Sequence, residues 1–198
     1  MIADLTFAAI DFESAGSERG KTDAPVQIGI ATWSILTGHD NAFVSYIQTQ
    51  QPISWAAQKV HGISHTDLQD APPLLALWPE IKSRLSNNIV VAHGHGTEKR
   101  YLQAFPAHGF GPWVDTLQLY RAAFPELPSH TLGDLCQHFK LETKITSLVP
   151  HKTWHDALFD AVASLTLLEN LINHFNLAQQ NPNILSQPDT RIWHQKKR

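Results

Sequence analysis

A mixed α/β fold, with a β-sheet covered by helices, is what this sequence predicts, and three observations carry it. Leu5–Ile10 and Ile89–Ala92 are short apolar runs, each suited to a strand buried on both faces. Three strand patterns follow one another closely at the start of the chain, which suggests an antiparallel meander. Helical patterns then alternate with two further strands, which places helices on the faces of the sheet.

The elements follow in order. After the first strand, Ser17–Asp23 is a polar loop. Val26–Trp33 is the second strand, Leu36–Asn41 a turn, and Ala42–Ile47 the returning strand. A short helix opens after Pro52-Ile53, with Ser54 as N-cap and Gly62 as its stop. Leu74–Leu85 has a helical pattern in which Pro79 must occupy the first turn or make a kink. The apolar strand ending at Ala92 leads into a helix over about Glu98–Ala107, and Trp113-Val114 is the last short strand. Helices follow at Thr116–Phe124 and Thr131–Phe139, the second opened by Ser129 or Thr131. Lys144–Lys152 reads as a loop. The longest helix runs over Ala157–Phe175, capped by Asp156, with Leu158, Ala161, Val162, Leu165, Leu168, Ile172 and Phe175 in one apolar stripe. From Asn181 the chain is polar, with Arg191, Lys196, Lys197 and Arg198 at its end, and reads as a solvated terminus.

The bulk composition narrows the function classes. The 198 residues suit one domain with a real core. A net charge of −3 argues against stoichiometric binding of nucleic acid by bulk charge, though not against an enzyme that holds a nucleic-acid end through metal ions. The single cysteine, Cys136, lies in an apolar pattern and suits a reducing, cytoplasmic compartment. There is no signal-like apolar run at the N-terminus and no stretch long enough to span a membrane.

The first strand ends in Asp11-Phe12-Glu13-Ser14-Ala15-Gly16. Residues two apart on a strand share a face, so Asp11 and Glu13 point together and Phe12 points into the opposite layer. Two neighbouring buried carboxylates repel, and a hard divalent cation relieves that repulsion. Acids recur in three other places. Glu98 falls in the first turn of the helix after Ala92-His93-Gly94, where open sheets expose ligand-binding groups. Asp115 follows the last strand and reads as a helix cap. Asp160 lies in the first turn of the long helix, while His155, just outside its N-cap, stays in the loop with the mobility a proton-transfer group can use.

In this order, Asp11-x-Glu13, Val91-Ala92-His93 with an acid at Glu98, and His155-x-Ala157-x-x-Asp160 resemble the DEDDh exonucleases, the DnaQ-like 3'→5' enzymes that include RNase T. Val60-His61-Gly62-Ile63-Ser64, Val114-Asp115-Thr116-Leu117 and Ser129-His130-Thr131-Leu132 resemble further segments of that family, and the likeness covers about residues 5–175. It implies an RNase H-like fold with a mixed five-stranded sheet, an exonuclease domain over 1–178 and a basic tail over 179–198. It also implies two Mg²⁺ or Mn²⁺ ions, a DNA or RNA 3' end as partner, and release of nucleoside 5'-monophosphates. Carried over by position, Asp11, Glu13 and Asp160 would bind metal at the nucleophile side. Asp11 would bridge to a second metal with Glu98 beside it through water, and His155 would take a proton from the attacking water. Phe12, Ser14 and Ala15 would approach the terminal nucleotide, and His61 with Ile63 would line its pocket. DNA and RNA, oligomeric state and protein partners stay open.

The chain departs from the family where Glu98 replaces Asp, Gly94 replaces Asn, Thr97 replaces Phe and Ser14-Ala15 replaces Thr-Thr. An altered second motif leaves a second reading, a module that binds nucleotides or 3' ends without turnover. A third reading, a zinc hydrolase built on His93-x-His95 and on His151 with His155, leaves Asp11, Glu13 and Asp160 unexplained.

Overall fold

In the computed structural model of the chain, which describes residues 1–16, 23–186, 188, 191 and 193, β1 (Phe7–Ser14) is the central strand of a five-stranded sheet. β2 (Pro25–Ser34) and β3 (Gly38–Tyr46) extend the sheet antiparallel on one side of it. β4 (Ile89–Ala92) and β5 (Trp113–Asp115) extend it parallel on the other, giving the order β3-β2-β1-β4-β5. The expected meander and mixed sheet are both present. Of the polar loop Ser17–Asp23 only Asp23 falls within the described residues, and Lys196, Lys197 and Arg198 lie outside them.

Alternation along β1 divides the core in two. Phe7 and Ala9 enter one cluster, dominated by α7 (Ala157–His174), while Ala8, Ile10 and Phe12 enter the other, beneath α2 (Trp78–Leu85) and α3 (Gly96–Leu102). α7 is apolar almost all round because it is covered on both sides. It crosses β1 and β2 and is itself packed by α4 (Thr116–Ala123), α5 (Leu132–His138) and α6 (Glu142–Leu148). Each Leu, Ile or Phe sealed there contributes about 1.5–3 kcal/mol relative to exposure. Asp11 and Glu13 continue the odd-numbered series of β1 and so face the α7 layer.

Several boundaries differ from expectation for physical reasons. β1 runs on through Ser14, so both its carboxylates are strand residues. β3 starts at Gly38, not Ala42; its first residues are polar because they lie on an edge strand, and polarity there imitates a turn. Leu74–Leu85 divides into a 3₁₀ turn, Leu74–Leu77, and α2, with Pro79 in its first turn. α3 begins at Gly96 and stops at Leu102, short of Pro106, which disfavours helix in the residue before it. The stretch read as a loop over 144–152 overlaps the last five residues of α6, a helix that buries Ile145 but has no side-chain N-cap to announce it. The short helix α1 (Trp55–His61) forms as expected: Ser54 Oγ accepts the Ala57 N–H at 3.1 Å and Gly62 closes it at φ +74°. Past residue 178, α8 (Asn183–Ser186) buries Leu185, and the buried Trp193 packs on Phe175 with ring centroids 5.0 Å apart. The segment expected as a solvated terminus thus meets the core at Leu185 and at Trp193.

Candidate active site

Two strands and two helices build the site, with Glu98 supplied by α3 and Asp160 by α7. Asp11 on β1 is paired with Gly29 on β2, and Glu13 with Gln27. Gly29 lies so close to α7 that a Cβ on it would overlap the backbone of Ala157 and Leu158. The first turn of α7 therefore rests on β2 beside the two carboxylates and delivers Asp160 to them. Asp156 caps the helix, its Oδ1 accepting the Leu158 N–H at 3.1 Å. Just before the cap, the Asp156 N–H donates to the Thr153 carbonyl at 3.1 Å, and this turn holds His155 at φ +66°. Trp154 fixes the turn by packing edge-on against Phe159, centroids 4.8 Å apart. One ligand atom from each of Glu13, His155 and Asp160 lies within 4.8 Å of the others.

The electrostatics of the pocket are dominated by burial and by mutual repulsion. Burial first, then the charges of Asp160, Glu98 and Glu13, push the Asp11 carboxyl well above its ordinary range. Glu13 is pushed up to about 8 by burial and by Asp160 and Asp156. Asp160 rises to about 7, chiefly through burial, against an opposing pull from the His155 backbone amide. Glu98 rises to about 7 through burial, with a contribution from Asp115.

The donor set fits hard divalent cations. Glu98 Oε2 and Asp160 Oδ1 are both buried without a hydrogen-bond partner among the described residues, an arrangement that is costly unless something else neutralises it. The Glu13 and Asp160 carboxylates, with ligand atoms within 4.8 Å of each other, match the preference of Mg²⁺ and Mn²⁺ for oxygen donors. The histidine alternative has no such support. His93 is half-buried, with Nδ1 at 3.0 Å from Thr116 Oγ1 and Nε2 at 2.9 Å from the His130 carbonyl oxygen, so both ring nitrogens are committed. Among the described residues, the one cluster with metal-binding spacing contains Glu13, His155 and Asp160.

The residues expected at the substrate are placed unequally. Phe12 is buried against Tyr101, centroids 5.2 Å apart. Ala15 and Ile63 are buried together with Val26 and Leu68. Ser14 and His61 are partly exposed. The Ile63 N–H donates to His61 Nδ1 at 3.0 Å, which leaves Nε2 as the protonated nitrogen that donates to the Ser14 carbonyl at 3.0 Å. Burial lowers the His61 pKa, consistent with a neutral ring clasping α1 to the end of β1. Asp115 is a cap, as expected: its Oδ1 accepts the Gln118 N–H at 3.3 Å. The same oxygen accepts the Gly94 N–H at 3.0 Å and so ties down the loop before α3.

The sequence matches the exonuclease family of the RNase T type over residues 8–168. The chain belongs to that family. Its exonuclease domain is 31% identical over 135 residues to a PolC-type DNA polymerase III of Oceanobacillus iheyensis, a match covering 66% of this chain and 9% of that protein. A PolC-type polymerase of Bacillus cereus is 25% identical over 178 residues, covering 87% of this chain and 12% of the relative. The chain thus spans about a tenth of the length of these curated relatives. Among solved structures, Exonuclease X in complex with 5' overhanging duplex DNA superposes with a TM-score of 0.70 at 23% identity, covering 85% of this chain and 92% of that one. The nuclease domain of 3'hExo, a DEDDh member bound to rAMP, gives 0.69 at 12% identity, covering 85% and 92%. These likenesses establish the RNase H-like fold of the DnaQ-like exonucleases. Among the described residues no helix is long and apolar enough to cross a membrane.

Sequence reasoning passed over Gln27 in this exonuclease domain. It is a buried polar residue in an otherwise apolar strand, Val26-Gln27-Ile28-Gly29-Ile30, and that anomaly was its signal. Lys152, whose Nζ donates to Asp156 Oδ2 at 2.7 Å, carried no signal because its stretch read as a loop.

Proposed function

We propose that this chain is a metal-dependent 3'→5' exonuclease that removes nucleoside 5'-monophosphates from DNA or RNA 3' ends. The observation that carries this reading is the cluster of Glu13, His155 and Asp160, whose ligand atoms lie within 4.8 Å of one another, with Asp11 and Glu98 near enough for their charges to interact. When bound, a pair of divalent cations supplies charge neutralisation on both sides of an in-line phosphoryl displacement. Asp11, Glu13 and Asp160 would hold one ion. Asp11 would reach the second, with Glu98 acting beside it through water. His155 accepts the proton of the attacking water, and its fixed left-handed turn sets where the ring can stand. Ser14 and the His61 ring present the surface for the terminal nucleotide, while Phe12, Ala15 and Ile63 support that surface from behind. Exonuclease X held with duplex DNA, and E. coli Exonuclease I held with an oligonucleotide, support a nucleic-acid end as the substrate class.

The test is digestion of matched, 5'-labelled DNA and RNA oligonucleotides with Mg²⁺ or Mn²⁺. Stepwise shortening from the 3' end with release of nucleoside 5'-monophosphates is the expected result, and EDTA should stop it. Intact oligonucleotides under both ions, with retained binding, would favour the end-binding module.

A further inference from the structure

We propose that Gln27 is a positioning residue that locks the β1 carboxylates to the helix carrying Asp160 and the turn carrying His155; this rests on the exonuclease reading above. Gln27 is 2% exposed and lies directly opposite Glu13 in the antiparallel pair of β1 and β2. Its side-chain amide is used at both ends. Nε2–H donates to Asp156 Oδ2 at 3.1 Å, and Oε1 accepts the Ala157 N–H at 2.9 Å. The two partners are the N-cap and the first residue of α7. One amide therefore straddles the start of the helix whose first turn holds Asp160 and whose preceding turn holds His155.

The clasp has no slack. Asp156 Oδ1 is occupied by the Leu158 N–H, and Oδ2 accepts both Gln27 and Lys152. Gly29, the next residue of β2 on the same face, lets the Ala157 backbone approach with nothing between. Gly29 thus sets how near α7 comes to the strands, and Gln27 sets where along them and at what rotation it stops. Glu13 and Asp160 come from different elements, and a cation held between them tolerates only small errors in their separation. Gln27, cross-strand from one and bonded to the cap of the other, is the side chain that fixes that separation. It touches neither substrate nor reacting atoms and acts through Asp156 and Ala157.

The test compares wild type with Gln27→Met, which keeps the volume and removes both bonds, and Gln27→Glu, which keeps the acceptor for Ala157. Tyr120→Phe serves as a stability control, since Tyr120 Oη donates to the Leu167 carbonyl far along the same helix. Mn²⁺ affinity is read by calorimetry without nucleic acid, and kcat and KM are read on a single-stranded oligonucleotide. Gln27→Met should weaken Mn²⁺ binding and lower kcat, each by about 10–100-fold, the usual effect of losing a partner that orients a ligand. KM should stay within about threefold, and Gln27→Glu should recover part of the loss. Mn²⁺ affinity and kcat within about threefold of wild type would overturn the proposal, as would losses no larger than those of Tyr120→Phe at equal Tm. Should Gln27→Met not fold, Gln27→Glu is judged by the same limits. An inactive wild type would remove the exonuclease reading, and the Mn²⁺ titration would still decide the role of Gln27.

Discussion

The backbone of Ala157 rests directly on Gly29, with no room for even one carbon between strand and helix. That contact joins the strand paired with Asp11 to the helix that carries Asp160. Gly29→Ala must either push α7 off the sheet or part β2 from β1. Overpacking of a tight core costs about 1–3 kcal/mol, and a backbone obstacle belongs at the upper end. Urea unfolding should show this loss, together with weaker metal binding. Gly133→Ala makes a clean contrast: it lies inside α5 with open space around it, and should stabilise by up to about 1 kcal/mol through helix propensity. Equal stability of Gly29→Ala and wild type would show that the seat is compliant.

Asp160→Asn and Asp11→Asn each remove a charge from a pocket in which charges repel. Metal-dependent nucleotide release should fall below detection in both, while the folded structure persists, because an amide is cheaper to bury than an unneutralised carboxylate. Oligonucleotide digestion and circular dichroism on the same samples make the check. Turnover near wild type in either variant would remove that residue from the ligand set.

His155 lies close enough to Glu13 and Asp160 to be read as a ligand or as a base. As a base, its removal in His155→Ala should lower kcat by about 100-fold or more. Mn²⁺ affinity measured by calorimetry should then stay near wild type. A collapse in affinity with unchanged turnover per bound ion would make His155 a ligand.

The metal-free protein should lose stability with rising pH at this pocket. Glu13 is raised from its ordinary 4.5 to about 8 in the folded state, so the folded protein keeps a proton that the unfolded chain releases. Its contribution is whole below about pH 4.5 and is lost as pH climbs through 8. His61 and His93, both lowered by burial, act in the opposite sense, so the informative quantity is a difference between variants. In EDTA, Glu13→Gln should be more stable than wild type at pH 8, and the gap should close toward pH 5. With saturating Mn²⁺ the order should reverse, since the ion stabilises the folded wild type more. A gap in EDTA that grows as pH falls would contradict the assigned environment.

Much of this site could be read in the sequence because its chemistry is local. Asp11 and Glu13 share a face by strand alternation alone, and Asp156 announces the helix that presents Asp160. The partners of those residues are non-local. Gln27 bonds Asp156 from 129 positions away, and His93 meets the His130 carbonyl across 37, separations that no periodicity encodes. The family resemblance carries Ala15 and Ile63 to the nucleotide by position in the sequence. Their burial depends on how α1 folds back over the end of β1, where the Ser54 N–H donates to the Ala15 carbonyl at 2.8 Å. The missed α6 has the same origin: its residues are indifferent to helix until Ile145 finds the α7 layer.

Glu98 is where this chain departs from the DEDDh pattern, and the structure gives its longer side chain a setting. Gly94 takes φ +86° and its N–H is held by Asp115 Oδ1, while the Gly96 N–H donates to the Gly94 carbonyl at 2.7 Å. This tight turn starts α3 at Gly96 and brings Glu98 into its first turn, 6% exposed. The carboxylate is close enough to Asp11 for its charge to push the Asp11 pKa up, and its Oε2 has no partner among the described residues. A buried, unpaired oxygen facing other carboxylates has a use if water or a cation completes its bonding. We therefore expect charge at this position to matter more than length. Glu98→Gln should lower turnover by at least about 10–100-fold, as loss of an outer-shell partner does. Glu98→Asp keeps the charge, withdraws it by one methylene, and should retain a measurable fraction of activity. Full activity in Glu98→Gln would place Glu98 outside the reaction. An inactive wild type restored by Glu98→Asp would instead mark the chain as an end-binding module whose turnover was lost through that methylene.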